Sequence, residues 1–309
     1  MEPWVSILTP CYNSEKYIGT YLDKILQQTY DNIELVIIND GSTDNTEHII
    51  KSYQSKIKLR GYRLVYYKQK NKGLGAAINQ GLKLMTGDFF CWCDSDNFYA
   101  NEYVEKNINV FLSSNCNIVR CDGYLYYDDD LEHPYHQFSK YNTDKFKKRL
   151  FLNAIVEKNF HFGCAMIRTS AFDMVCPDRE IYPSRYGQNW QILLPILYYY
   201  DAYYIDEPLF FFINRKDSIS SSSHTRDKML EMQNDHEKIL LETIKKMQIK
   251  DAKYYEGIIR EKYIKRRIWV AETYHDQELL EKSKKELSEF QKFCNRRKYF
   301  CLFPKYRKP

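Results

Sequence analysis

Two aspartates one residue apart, Asp94 and Asp96, close the stretch FFCWCDSDNFY at residues 89–99. Phe89, Phe90, Cys91, Trp92 and Cys93 read as a buried strand, so the pair stands where a strand ends. Burying a carboxylate without a partner is costly, so the pair must either turn the chain into solvent or face a cation. Oxygen ligands at i and i+2 of a sharp turn suit one hard divalent ion, Mg2+ or Mn2+, and such an ion typically binds a diphosphate together with the protein. An Asp-x-Asp by itself does not choose between these readings.

Other polar clusters follow other apolar runs. Thr9-Pro10-Cys11-Tyr12-Asn13 follows the run that begins at Trp4, and Asn39-Asp40-Gly41-Ser42 follows IELVIIN. NKGLGAAINQGL at 71–82 has small residues that let a helix start close to a ligand, and Lys72 adds a positive charge. Its Gly-x-Gly is weak evidence for a dinucleotide site, because no glycine fingerprint follows the first strand. Cys91 and Cys93 have the spacing of a metal pair, but strand alternation among aromatic residues makes them buried thiols. Asp128 to Asp130 read as a solvated loop, since no strand delivers them.

The elements that must position these clusters alternate over the first 120 residues. WVSILTP, IELVIIN, YRLVYY, FFCWC and NIVRC read as strands. Between them, Ile18, Leu22, Ile25 and Leu26 recur at helical spacing, as do Ile49, Ile50 and Tyr53, and Tyr103, Val104, Ile108 and Phe111. Asn13 or Ser14, Ser42 or Thr43, and Asn101 are the expected N-caps. The alternation predicts an α/β fold, a mostly parallel twisted sheet flanked by helices, with ligands beyond the carboxyl ends of the strands. From 122 to 215 the pattern is irregular apart from a helix-like NWQILLPILYYY, and from His224 onward charged helical segments form an α-helical C-terminal extension.

Taken together, TPCYN, NDGSTDNT, NKGLGAAINQGL, TGDFFCWCDSDN and GCAMIRTSAF resemble family-2 glycosyltransferases with the GT-A (Rossmann-like) fold, in order over about residues 4–215. The resemblance implies a glycosyltransferase domain over 1–223, with a nucleotide-binding half at 1–121 and an acceptor-side half at 122–223. The helical extension with its basic tail then occupies 224–309. It implies that Thr9, Pro10 and Tyr12 cradle the nucleotide base, that Asp40 accepts a hydrogen bond from it, and that Asn71, Lys72 and Gly73 lie near base and ribose. Asp94, Ser95 and Asp96 fall in the family's Asp-x-Asp motif, with Asp94 near ribose and sugar and Asp96 on the metal. His224 is a third metal candidate, and Arg215 and Lys216 are candidates for phosphate contacts.

The implied reaction is an inverting transfer from a nucleoside-diphosphate sugar, UDP-linked, assisted by Mn2+ or Mg2+, to a glycan or lipid-linked saccharide in surface polysaccharide synthesis. Such a displacement normally wants a carboxylate base near the acceptor. The family places a Glu-Asp pair there, whereas this chain has Gln188 and Asn189 before Trp190, and an amide cannot take a proton at neutral pH. Asn189 and Gln188 are left to orient an acceptor hydroxyl, and His161, Asp178 and Glu180 are the alternative bases. A second reading is a catalytically silent, donor-binding pseudoenzyme that acts as scaffold or regulator.

Composition narrows the remaining classes. No apolar run approaches the roughly 20 residues that cross a bilayer, and the N-terminal stretch does not read as a signal peptide. Nine cysteines without framework spacing point to a reducing compartment, hence to the cytoplasm. The formal charge of +5 is concentrated at the end: residues 281–309 carry ten Lys or Arg against three Glu. That tail suits peripheral contact with the inner face of the plasma membrane, while the rest of the chain offers nothing for nucleic acid.

Overall fold

The computed structural model describes residues 2–140, 145–157, 164–184, 187–215 and 225–296. The chain divides into two compact units, Met1–Ser221 and Ser222–Pro309. The first begins with strictly alternating elements: β1 (Val5–Cys11), α1 (Ile18–Leu26), β2 (Ile33–Asn39), α2 (Thr46–Leu59), β3 (Arg63–Lys68), α3 (Leu74–Leu84), β4 (Phe89–Trp92), β5 (Phe98–Tyr99) and α4 (Tyr103–Ser113). It continues through β6 (Ile118–Tyr127), β7 (His136–Gln137), α5 (Phe151–Val156), β8 (Ala165–Arg168), α6 (Thr169–Val175), α7 (Gln188–Tyr199) and β9 (Ala202–Asn214).

All the strands join one sheet in the order β3-β2-β1-β4-β8-β6-β9-β5, with β7 beside β6. The β3-β2-β1-β4 half is wholly parallel, with Ile7 opposite Leu35 on one side and Cys91 on the other. Every residue of β1 and β2 is buried, which is why these strands read as continuous apolar runs rather than alternating ones. The second half is mixed: β8 runs antiparallel between β4 and β6, and β9 lies parallel to β6. Since β8 is antiparallel to both neighbours, β6 and β9 point the same way as β4, and their carboxyl ends reach the same rim.

Helix α1 buries Ile18, Tyr21, Leu22 and Ile25, and its N-cap makes no side-chain capping bond. Burial contributes about 1.5–3 kcal/mol per large apolar side chain against about 1 kcal/mol for a cap, so the buried face decides the helix. On α3, Gly81 lets the helix lie directly on β1: a Cβ there would meet Leu8 Cδ1 at 1.9 Å.

The expected caps are displaced by a few residues. The helices begin from Tyr17, Asn45 and Glu102, none of which makes a side-chain capping bond, and the polar residues upstream tie loops together instead. The irregular stretch from 122 holds the long strand β9. Its half-exposed tyrosines and the register breaks opposite Cys121 to Gly123 obscure any period of two.

The second unit comprises α8 (Arg226–Met247), α9 (Ala252–Thr273) and α10 (Gln277–Arg296). Ile239, Leu240 and Ile244 of α8 and Ile259, Tyr263 and Ile264 of α9 are buried. Asp276 starts α10 by accepting from the Leu279 N–H at 3.0 Å and pairs with Arg226. Among the described residues no helix is long and apolar enough to cross a membrane.

Candidate functional site

The parallel order β2-β1-β4 puts three polar loops side by side at one rim. The first two are hydrogen-bonded to each other. The Asn13 N–H donates to Ser42 Oγ at 3.0 Å, Thr43 N–H to Asn13 Oδ1 at 2.9 Å, and Ser14 N–H to Thr46 Oγ1 at 2.7 Å. Glu15 and Asp44 add a reciprocal pair, each side chain accepting from backbone of the opposite loop. Thr9 and Pro10 are buried, and the Thr9 hydroxyl bonds that of Tyr21, so these two residues shape the loop from beneath. The Tyr12 ring stands above them, half exposed.

Asp40 ends the second strand as a buried clamp. Its Oδ1 accepts from Lys72 N–H at 2.9 Å and Gln69 Nε2 at 2.7 Å, and its Oδ2 from Gly73 N–H at 2.8 Å. The carboxylate thus fixes the turn that opens α3, and the Asn71 and Lys72 side chains stand exposed on it. Only glycine serves at position 41: its φ is 77°, and a Cβ would meet Asn71 N at 2.6 Å.

The third loop carries the aspartate pair. Ser95 is buried and its Oγ meets Ser14 Oγ at 2.8 Å, which ties this loop to the first. Asp94 is exposed on one side and crowded by protein on the others. That crowding and the neighbouring Asp96 charge push its pKa up to about 7, against a lowering pull from Arg215. Arg215 follows β9, its Nε lies 2.9 Å from Asp96 Oδ2, and its guanidinium sits 4.8 Å from the centre of the Tyr17 ring. The sequence offered Arg215 as a candidate for phosphate contact; its pairing with Asp96 was not legible there.

Among the described residues, Asn189 of α7 meets this rim at Trp92. Trp92 Nε1 donates to Asn189 Oδ1 at 2.7 Å, which leaves the Asn189 amino group as the donor directed away from the strand. Gln188 is buried and donates to the Ser184 carbonyl at 2.7 Å, and Trp190 is buried with its Nε1 on the Ala154 carbonyl at 3.1 Å. Both hold α7 in place rather than line open space. Glu180 is ion-paired with Lys83, and the exposed Asp178 accepts from the Glu180 N–H at 3.2 Å. His161, Lys216 and His224 lie outside the described residues.

Two hard carboxylates at i and i+2 are the donor type that Mg2+ or Mn2+ takes. Among the described residues no third His, Cys, Asp or Glu joins them. The buried cysteines give no alternative centre, since Cys91 and Cys93 are free thiols within the core.

Known proteins extend this picture. The family model described as Glycosyl transferase family 2 matches residues 6–176. An uncharacterized glycosyltransferase of Rickettsia typhi is 35% identical over 168 residues, covering 54% of this chain and 50% of its own length. The chain spans half or less of the length of the curated relatives it matches. Among solved structures, S. aureus TarS 1–349 in complex with UDP-GlcNAc aligns with TM-score 0.66 at 16% identity, over 93% of this chain and 81% of that one. The mannosyltransferase PcManGT from Pyrobaculum calidifontis, in complex with GDP-Man and Mn2+, aligns with TM-score 0.55 at 15% identity, over 97% and 85% of the two chains.

Proposed function

The chain belongs to glycosyl transferase family 2, and on that premise we propose that it transfers a sugar, with inversion, from a UDP-linked donor to a saccharide acceptor in surface polysaccharide synthesis. One observation carries this reading: Asp94 and Asp96 stand at the end of a buried strand, on a loop bonded to the first of the two others that would hold a nucleotide, with Arg215 beside them. Asp94 and Asp96 would hold Mn2+ or Mg2+, with His224 as a third candidate. Such an ion, when bound, offsets the charge developing on the departing diphosphate.

The chain's own residues divide the remaining work. Tyr12 supplies an aromatic face for the base, and the turn of Asn71, Lys72 and Gly73, fixed by Asp40, lies along base and ribose. Arg215 is placed to exchange its bond with Asp96 for one with phosphate oxygens, a charge-assisted contact of similar geometry. The Asn189 amino group can donate to an acceptor hydroxyl oxygen and so orient it, but it cannot remove the proton. The base is then another group, with His161, Asp178 and Glu180 the candidates, or little base help is needed because the diphosphate departs ahead of attack.

Thermal shift with a nucleotide panel, with and without Mn2+, tests the donor site. Stabilisation by UDP that requires metal and is lost in Asp96→Ala supports it, whereas a shift by UDP that Asp96→Ala retains contradicts it. The amides at 188 and 189 favour a second reading, the silent donor-binding protein. Donor binding without turnover of UDP-sugars, with turnover gained in Asn189→Asp, would establish that reading instead.

A further inference from the structure

Apart from the Asn189 amide proposed for its hydroxyl, the acceptor has no surface in the site so far, and the carboxyl ends of β6 and β9 offer one; this inference rests on the transferase reading above. Tyr127, the last residue of β6, pairs in register with Asn214, the last of β9. Arg215 comes next and contacts Asp96. One chain step of about 3.8 Å and one strand spacing of about 4.8 Å link the Tyr127 backbone to that of Arg215, a span on the order of one or two sugar rings.

Tyr127 stacks on Tyr135, with ring centroids 4.1 Å apart and planes 19° from parallel. Backbone and side chain both fix the pair. The Tyr135 N–H donates to the Leu125 carbonyl at 2.9 Å, and the Asp130 N–H to the Tyr127 carbonyl at 3.1 Å. Asn214 Nδ2 reaches the Tyr135 hydroxyl at 3.4 Å. Despite this fixation the two residues are 48% and 39% exposed.

Rigid, exposed tyrosines lose little freedom on binding and present an apolar face with a polar tip, the surface that the C–H face of a pyranose covers. The loop that carries them is edged by Asp128, Asp129, Asp130 and Glu132, and backbone N–H groups from His133 and Glu132 hold the Asp130 carboxyl below its usual range. That fringe repels a polyanionic glycan and tolerates an uncharged one. We propose that Tyr127 and Tyr135 form the acceptor subsite, a stacking platform for an uncharged saccharide.

Saturation-transfer difference NMR tests this with malto-, cello-, chito- and manno-oligosaccharides alongside heparin and polygalacturonate. Wild type, Tyr127→Ala, Tyr135→Ala and Tyr127→Phe are compared, and UDP–Mn2+ affinity is measured calorimetrically on each. The expected result is binding of at least one uncharged series, kept by Tyr127→Phe and weakened about five- to tenfold by either alanine, the size of one aromatic contact. UDP–Mn2+ affinity stays unchanged throughout. No uncharged saccharide bound by wild type, binding kept by both alanine variants, or a preference for the polyanions would overturn the platform. Failure there with UDP–Mn2+ binding intact leaves the donor site standing. Wild type that binds no UDP sinks the donor reading, while the saccharide arm still decides the platform.

Discussion

The ionised form of Asp94 is burdened by crowding protein and, in addition, by the neighbouring Asp96 charge. Its folded pKa, raised to about 7, means that the folded chain holds this proton more tightly than the unfolded one. The stability from that proton is present at low pH and is lost as pH rises through about 7. With chelator present, Asp94→Asn should therefore melt above wild type at pH 8, and the gap should close toward pH 5; a gap that does not change with pH would contradict the repulsion. Asn189→Ala should lower kcat/KM for the acceptor about tenfold, the loss of one hydrogen bond to a poised hydroxyl, with donor KM unchanged. At this scale the sequence disclosed the aspartates, because their types and spacing are local. It did not disclose the Trp92–Asn189 bond, which joins residues 97 positions apart and depends on where α7 lands.

The strands β1, β2 and β4 were legible because burial on both faces forces unbroken apolar runs, the half-exposed edge strand β3 because of its β-branched and aromatic residues, and α1, α2 and α4 because one buried face imposes helical spacing. β9 was not legible: its burial follows no period of two, and its register slips beside Pro208. The expected caps at Asn13, Ser14, Ser42 and Thr43 showed correct chemistry with the wrong partners, since these side chains bridge two loops that only the folded sheet brings together. Packing of α3 gives a test. Glycine to alanine in a helix ordinarily stabilises by up to about 1 kcal/mol, but at position 81 the new methyl meets Leu8 on β1. Overpacking dominates, so Gly81→Ala should lower stability by about 1–3 kcal/mol in urea unfolding with an unchanged m value.

Across the first unit, polar loops far apart in sequence meet at one rim while the described thiols other than Cys116 lie inside. Burial pushes Cys11 and Cys91 up to about 12, and among the eight described free cysteines Cys116 alone is partly exposed. Iodoacetamide at pH 8 should label Cys116 first among those eight and the others only on unfolding, read by peptide mass spectrometry; early labelling of Cys91 would contradict the buried strand. The convergence of the rim loops is the feature on which the proposed chemistry depends. Its most direct test is anomalous diffraction from a crystal grown with Mn2+ and UDP. The account predicts a manganese peak within about 2.0–2.3 Å of an Asp96 carboxylate oxygen, bridged to the diphosphate, with Arg215 turned from Asp96 toward phosphate. UDP bound elsewhere, or bound at this rim with Arg215 still on Asp96 and no metal between the aspartate and the phosphates, would contradict it.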